Sequence, residues 1–167
     1  MLFRLRHLRF LPTPAAACLL DYALTLHGQP AAYWRGDTTA VNELSPEVRR
    51  LLEIGLVASI GGFVVWVVAI AGLLVLVPRP MALFLALAVT IGHVVGATSW
   101  LWRWPTNGYQ AGVGLCVLAA VGLAVTIGWE EAGRPPPDGR GDRWARVRWP
   151  LIALLAAGPV YAFLWPH

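Results

Sequence analysis

Five long apolar runs, separated by short polar connections, constrain the fold of this chain more than any other feature. A helix needs about 20 apolar residues to cross the hydrocarbon of a bilayer. Only 13% of the 167 residues are charged and the mean hydropathy is +0.61, whereas about a quarter of the residues in a typical soluble domain are charged. The sequence therefore predicts an all-α fold, a polytopic transmembrane helix bundle that forms a single domain.

We expect four firm spans and a short fifth apolar helix. The predicted helices cover residues 10–26, 46–77, 81–102, 108–129 and 150–165. Ser45 can cap the second helix and Pro46 suits its first position. That helix is too long for the bilayer alone, so its first two turns should project from the membrane. The fifth run has only about 16 residues, and an interfacial or tilted helix is the alternative to a span there.

The distribution of arginine predicts the orientation. With a cytoplasmic N-terminus, nine of the 13 arginines lie inside, as the positive-inside rule favours. Residues 27–44 then form an outer loop and residues 130–148 a cytoplasmic linker, and the chain lies in the cell (inner) membrane. The net charge of +4 comes from arginines at the ends of segments. It indicates anchoring at an anionic bilayer surface and no nucleic-acid binding; a membrane-protein partner or a homo-oligomer stays open.

Two ionisable residues fall inside predicted spans at similar depths. At a rise of about 1.5 Å per residue, Asp21 lies roughly 9 Å and His93 roughly 13 Å below the outer surface. An ionisable residue within a span is costly, and it indicates a functional site with a nearby partner. Gly92 and Gly96 form a G-x-x-x-G pair beside His93 that permits close approach of another helix. We therefore predict that Asp21 and His93 form a pair.

Two kinds of site are consistent with these residues. Asp21, His27, Glu43 and His93 would suit a divalent metal such as zinc, because carboxylate and imidazole groups are its usual ligands, although no two of them have a diagnostic spacing. Without a metal, His93 would act as a base oriented by Asp21, with Glu43 as a third catalytic candidate, in proton transfer or hydrolysis. Both describe an outward-opening polar pocket. The alternative is a structural or accessory membrane subunit whose polar residues only hold helices together.

Two short motifs in the first third of the chain carry a resemblance. Asp21-x-x-x-Thr25 lies in the first predicted helix, and Glu43-Leu44-Ser45-Pro46 lies at the start of the second. Together the two motifs resemble the D-x-x-x-T and E-x-N-P motifs of a group of small uncharacterised prokaryotic membrane proteins, with Ser45 in place of the Asn. The resemblance implies no particular activity, but it implies that Asp21 and Glu43 belong to one site.

Overall fold

A computed structural model describes residues 5–103 and 106–132 of the protein. Within these ranges the chain forms helices and connecting turns, and no β-strand is present. The α-helices are α1 (Pro12–His27), α2 (Ala31–Trp34), α3 (Pro46–Ile54), α4 (Leu56–Leu76), α5 (Arg79–Leu101) and α6 (Gly108–Ala132). The predicted all-α fold is confirmed for this part of the chain. The predicted helix at 150–165, and the predicted linker beyond residue 132, lie outside the described residues.

Three helices are long and apolar enough to cross a membrane: α4, α5 and residues Gly108–Val125 of α6. Few of their residues are buried within the protein, and the share is largest in α5, at 33%. This helix is central because it contacts α1, α4 and α6. Outward-facing apolar side chains are expected of helices that are solvated by lipid. Three candidate spanning helices of this length and composition indicate a membrane protein.

A cluster of buried apolar side chains holds together the half of the bundle that contains the start of α1 and the end of α4. Its members come from α1, α4, α5 and the 3-10 turn Arg6–Phe10 that precedes α1, and they are Phe10, Cys18, Ile70, Leu74, Ala82 and Ala86. The small Ala82 and Ala86 side chains let neighbouring helices approach closely, as is usual in membrane bundles. The imidazole of His7 adds a hydrogen bond to the carbonyl of Leu74, at 3.0 Å. These contacts attach the start of the chain to the end of α4.

The predicted unbroken helix over residues 46–77 is wrong, because the chain breaks at Gly55. Its φ of 137° and ψ of 167° are open to glycine and rarely adopted by other residues. The helix α3 ends before it and α4 begins after it. The side chain of Leu51 then packs on Gly62, where a Cβ would overlap its methyl group. The segment α3 therefore folds back onto the first turns of α4 and does not extend its axis.

The connection between α1 and α3, here called the outer connection after the side of the membrane predicted for it, has a small core of its own. Tyr33, Val41 and Leu52 are buried together and are flanked by Leu26 and Val48. Aromatic residues in a loop at the membrane boundary usually lie at headgroup level, but Tyr33 is buried, while Trp34 beside it is 52% exposed. The aromatic ring of Tyr33 therefore stabilises the connection itself.

The buried side chain of Gln29 joins the two ends of this connection. Its amide nitrogen donates to the carbonyls of Thr25, at 2.8 Å, and Asn42, at 3.2 Å. Its amide oxygen accepts from the backbone N–H of Asn42, at 2.9 Å. Because both ends of the amide are used, the connection is fixed to the last turn of α1.

Candidate functional site

The carboxylate of Asp21 and the imidazole of His93 are in direct contact. Asp21 Oδ2 lies 2.8 Å from His93 Nδ1, which joins α1 to the central helix α5. The predicted pairing of these two residues is confirmed as a contact. On α1, Asp21 is spaced three and four residues from Cys18 and Thr25, so the three share one helical face, and both neighbours are buried. This face of α1 is therefore turned toward the protein.

Gly96 makes room for this pair, since the Asp21 carboxylate lies against its backbone. A Cβ at Gly96 would stand 2.7 Å from each carboxylate oxygen, which is closer than a real side chain could come. Gly92 is different, because a Cβ there would have no neighbour within 4 Å. Of the predicted G-x-x-x-G pair, only Gly96 serves the contact with α1.

A third residue, Trp66 of α4, completes a chain of hydrogen bonds. Its indole Nε1–H donates to His93 Nε2 at 3.1 Å. An indole N–H can only donate, so Nε2 must be the unprotonated, accepting nitrogen. The proton of a neutral His93 is then on Nδ1, from which it is donated to Asp21. The two ring nitrogens therefore have different roles. Nδ1 is hydrogen-bonded to the Asp21 carboxylate, and the lone pair of Nε2 accepts from the neutral indole of Trp66.

Sequence reasoning missed Trp66, although its position carries a signal. It lies ten residues from each end of α4, since that helix runs from Leu56 to Leu76. Tryptophan in membrane helices is enriched at the interfaces and not at mid-span. The indole N–H of a Trp at mid-span therefore needs a hydrogen-bond acceptor at the same depth, and His93 Nε2 is that acceptor.

The face of α4 that bears Trp66 is held against α1 by an aromatic and a polar contact. The hydroxyl of Tyr22 donates to Ser59 Oγ at 2.9 Å, and the Tyr22 ring stacks on Phe63 with centroids 4.7 Å apart. Ser59, Phe63 and Trp66 are spaced four and three residues apart, so they share one face of the helix. Tyr22 directly follows Asp21, and these contacts therefore set the position of Trp66 relative to the pair.

The pair is closed toward the connection between α1 and α3 and partly open beside Trp66. One turn above Asp21, Thr25 is buried, and Trp100 fills the seam beyond it by packing on Gly28. Arg103 covers the Trp100 ring, with its guanidinium 4.5 Å from the ring centroid. By contrast, the side chain of His93 is 25% exposed, and Trp66 is 48% exposed. Access to the imidazole is therefore lateral.

The other two predicted site residues have different surroundings. Glu43 Oε1 accepts hydrogen bonds from the backbone N–H groups of Leu44 and Ser45, each at 2.8 Å. Amide groups at the start of a helix are unpaired, so a nearby carboxylate binds them in preference to a distant metal site. His27 is exposed in the last turn of α1.

The four predicted metal ligands are therefore not assembled into one site. Among residues 5–103 and 106–132, no three His, Cys, Asp or Glu side chains are grouped as a metal would require. Only Asp21 and His93 come together. The physical reason is that Asp21 and His93, facing each other between two helices, satisfy each other's hydrogen bonds, while Glu43 accepts hydrogen bonds from the local backbone.

No protein-family model matches the chain, and comparison with curated proteins and solved structures gave no match either. Function must therefore follow from the chemistry of the site. A carboxylate that accepts the Nδ1 proton of a histidine fixes the tautomer and orientation of the ring. The Nε2 lone pair is then directed at whatever donor lies opposite. The same division of roles between carboxylate and imidazole operates in general-base sites.

Proposed function

We propose that this multi-pass membrane protein carries an intramembrane acid–base site, in which His93 Nε2 accepts a proton and Asp21 positions and activates the ring. Such a site serves hydrolysis or proton transfer. The observation that carries the proposal is the hydrogen bond from Trp66 to His93. It requires a lone pair on Nε2, and this nitrogen is the one that faces the exposed side of the pair.

The rival proposal is a structural or accessory subunit in which the pair only locks α1 to α5. A lock is strongest when both partners are fully buried, because the surrounding low dielectric strengthens the hydrogen bond. The side chains of His93 and Asp21 instead keep 25% and 19% of their surface exposed. The metal hypothesis is less favoured than either, since a third ligand is not grouped with the pair among the described residues.

Chemical modification separates the acid–base site from the lock. Diethyl pyrocarbonate reacts with an unprotonated imidazole nitrogen, and mass spectrometry measures its rate at each histidine. In nanodiscs, the D21N variant keeps an acceptor for the Nδ1–H but loses the negative charge. We expect the reaction at His93 to slow by about tenfold or more, because the carboxylate makes the ring more nucleophilic. The exposed His27 supplies the internal control and should react at an unchanged rate.

The rate at which His93 reacts in D21N decides between the two proposals. If D21N stays folded and His93 reacts as fast as in the wild type, the carboxylate does not activate the ring and the pair is a lock. The thermal unfolding temperature of D21N, compared with that of the wild type, verifies folding. A variant that is too unstable is replaced by D21E, which keeps the charge but displaces it, and the acid–base proposal again requires a slower reaction at His93.

We also propose that α1 is the fourth span. Its 16 residues cover about 24 Å, and the 3-10 turn Arg6–Phe10 adds about 10 Å. Together they match the roughly 30 Å of hydrocarbon. The contacts of α1 with α5 support this proposal, because Asp21 and Gly28 meet residues in the interior and at the end of a candidate span. The short fifth helix at 150–165 remains a prediction.

For topology we propose a cytoplasmic N-terminus in the inner membrane, which puts Leu44 on the outer side. Leu44 is 84% exposed, so a cysteine there is open to reagents. In a C116A background the other native thiol, Cys18, is buried. A membrane-impermeant maleimide should label L44C in intact cells. Labelling only after the membrane is permeabilised would contradict the orientation.

A further inference from the structure

The partly open side of the Asp21–His93 pair faces the bilayer, and this feature determines what can reach it. We infer that the reactant is a molecule dissolved in the membrane that donates an O–H or N–H hydrogen bond to His93 Nε2 and displaces Trp66. The inference rests on the proposed acid–base function and adds the class of substrate to it. It follows from the depth of the opening, from its surroundings and from the chemistry of Trp66.

The opening lies at mid-depth of the bundle. Trp66 is ten residues from each end of α4, or roughly 15 Å from either end of the helix. Exposed side chains at this depth are apolar on both helices: Val65 and Val68 of α4 are 67% and 63% exposed, and Val95 of α5 is 62% exposed. Exposed valines at this depth contact acyl chains. A water-soluble compound would have to cross the hydrocarbon to arrive there.

The alternative route, from the outer aqueous phase along the seam between α1 and α5, is filled with side chains. Thr25 and Trp100 are buried above the pair, and Trp100 packs so tightly on Gly28 that even a methyl group would overlap it. Gln29 then holds the outer connection over the end of α1 with three hydrogen bonds. A reactant from water would have to displace several buried contacts, whereas one from lipid displaces a single half-exposed indole.

Trp66 also defines the group that can replace it. It gives His93 one donor and no acceptor. A hydroxyl, phenol or amide N–H can take over that role at Nε2, while an ether or a ketone cannot. The exchange displaces a side chain that is already 48% exposed, so it opens little buried surface. Trp66 therefore occupies the position of the reacting proton until a membrane-dissolved donor replaces it.

The test uses three probes and the full-length protein in nanodiscs with ¹⁵N-labelled histidine. The probes are 4-nonylphenol, its methyl ether 4-nonylanisole, and the water-soluble 4-hydroxybenzenesulfonate. We expect only 4-nonylphenol to shift the Nε2 resonance of His93 in a saturable way, with the resonance of His27 unchanged. In the W66F variant, which lacks the competing donor, 4-nonylphenol should bind about threefold to tenfold more tightly, as expected for the loss of one hydrogen bond.

Each contrary result overturns a defined part of the inference. An equal shift with 4-hydroxybenzenesulfonate means that the site is reached from water. An equal shift with 4-nonylanisole means that apolar binding, and not hydrogen-bond donation, is responsible. If no probe shifts His93 while D21N still slows its modification by diethyl pyrocarbonate, the acid–base site stands and the lipid-soluble substrate class is wrong.

Discussion

The Asp21 carboxylate lies directly against the backbone of Gly96, and a Cβ there would stand 2.7 Å from both of its oxygens. The G96A variant must therefore push α1 away from α5 or break the contact with His93. We expect it to lower the free energy of unfolding by about 1–3 kcal/mol, as overpacking usually does. Unfolding by SDS in mixed micelles measures this effect.

The matched control for that variant is G92A, one helical turn earlier on α5. Its added methyl group meets no atom within 4 Å. Its stability should stay within about 1 kcal/mol of the wild type. Equal losses of stability in G96A and G92A would show that the effect comes from replacing a helical glycine and not from the contact between Gly96 and the Asp21 carboxylate.

The pairing of Asp21 with His93 could be predicted from the sequence because it depends on the regular geometry of α-helices and on the cost of an ionisable group in a span. Helix rise fixes the depth of each residue, and an ionisable group in a span needs a partner at its own depth. The same reasoning could not find the break at Gly55, since glycine is also common inside membrane helices. Nor could it predict the surroundings of Glu43, because the backbone N–H groups that bind its carboxylate come together only when the turn before α3 has formed.

Trp66 and Tyr33 were missed for a related reason. Which face of α4 meets α5 depends on packing among three helices, and an almost uniformly apolar helix gives no periodic signal to orient it. The residue type of Tyr33 favours the bilayer surface, and Trp34 beside it is exposed. The cluster with Val41 and Leu52 that buries Tyr33 requires contacts across the whole outer connection.

The contact between Asp21 and His93 should be measurable as a coupling energy. In a double-mutant cycle of D21A and H93A, we expect the two residues to stabilise the fold jointly by about 1–2 kcal/mol, the range found for hydrogen bonds within membrane proteins and for those to charged groups. A second cycle of D21A with H27A controls for general effects and should give a coupling near zero. Equal couplings in the two cycles would contradict the specific pairing.

The break at Gly55 predicts that an alanine substitution lowers the stability of the protein at this glycine but not at a nearby glycine inside α4. G55A forces a non-glycine residue into a φ of 137°, where strain costs on the order of 1–3 kcal/mol. We expect a less stable protein in which α3 and α4 tend to join. G61A is the control, because that glycine is exposed inside α4 and a Cβ meets nothing within 4 Å. A distance between spin labels on the two helices that is unchanged in G55A, together with unchanged stability, would rule out the strained break.

The hydroxyl of Tyr33 is buried without a hydrogen-bond partner. Burial raises the pKa of Tyr33, with a smaller contribution from Tyr22. The neutral ring therefore stabilises the outer connection below the ordinary tyrosine pKa, and this contribution is lost as the pH rises through the raised value. We expect Y33F to be as stable as the wild type or more stable by about 1 kcal/mol at neutral pH. The hydrogen-exchange protection factors of residues 38–44, which are corrected for the intrinsic base-catalysed rate, should fall at alkaline pH in the wild type but not in Y33F. An equal alkaline fall in both proteins would assign it to another group.

The protonation state of His93 tests the acid–base site most directly. Solid-state NMR of ¹⁵N-labelled histidine in lipid bilayers separates the two ring nitrogens, and the H93Q variant assigns the signals. At neutral pH we expect a neutral ring with the proton on Nδ1, toward Asp21, and an unprotonated Nε2 that faces Trp66. A ring that carries its proton on Nε2, or on both nitrogens, would leave no lone pair for the indole or for a substrate and would contradict the proposed function.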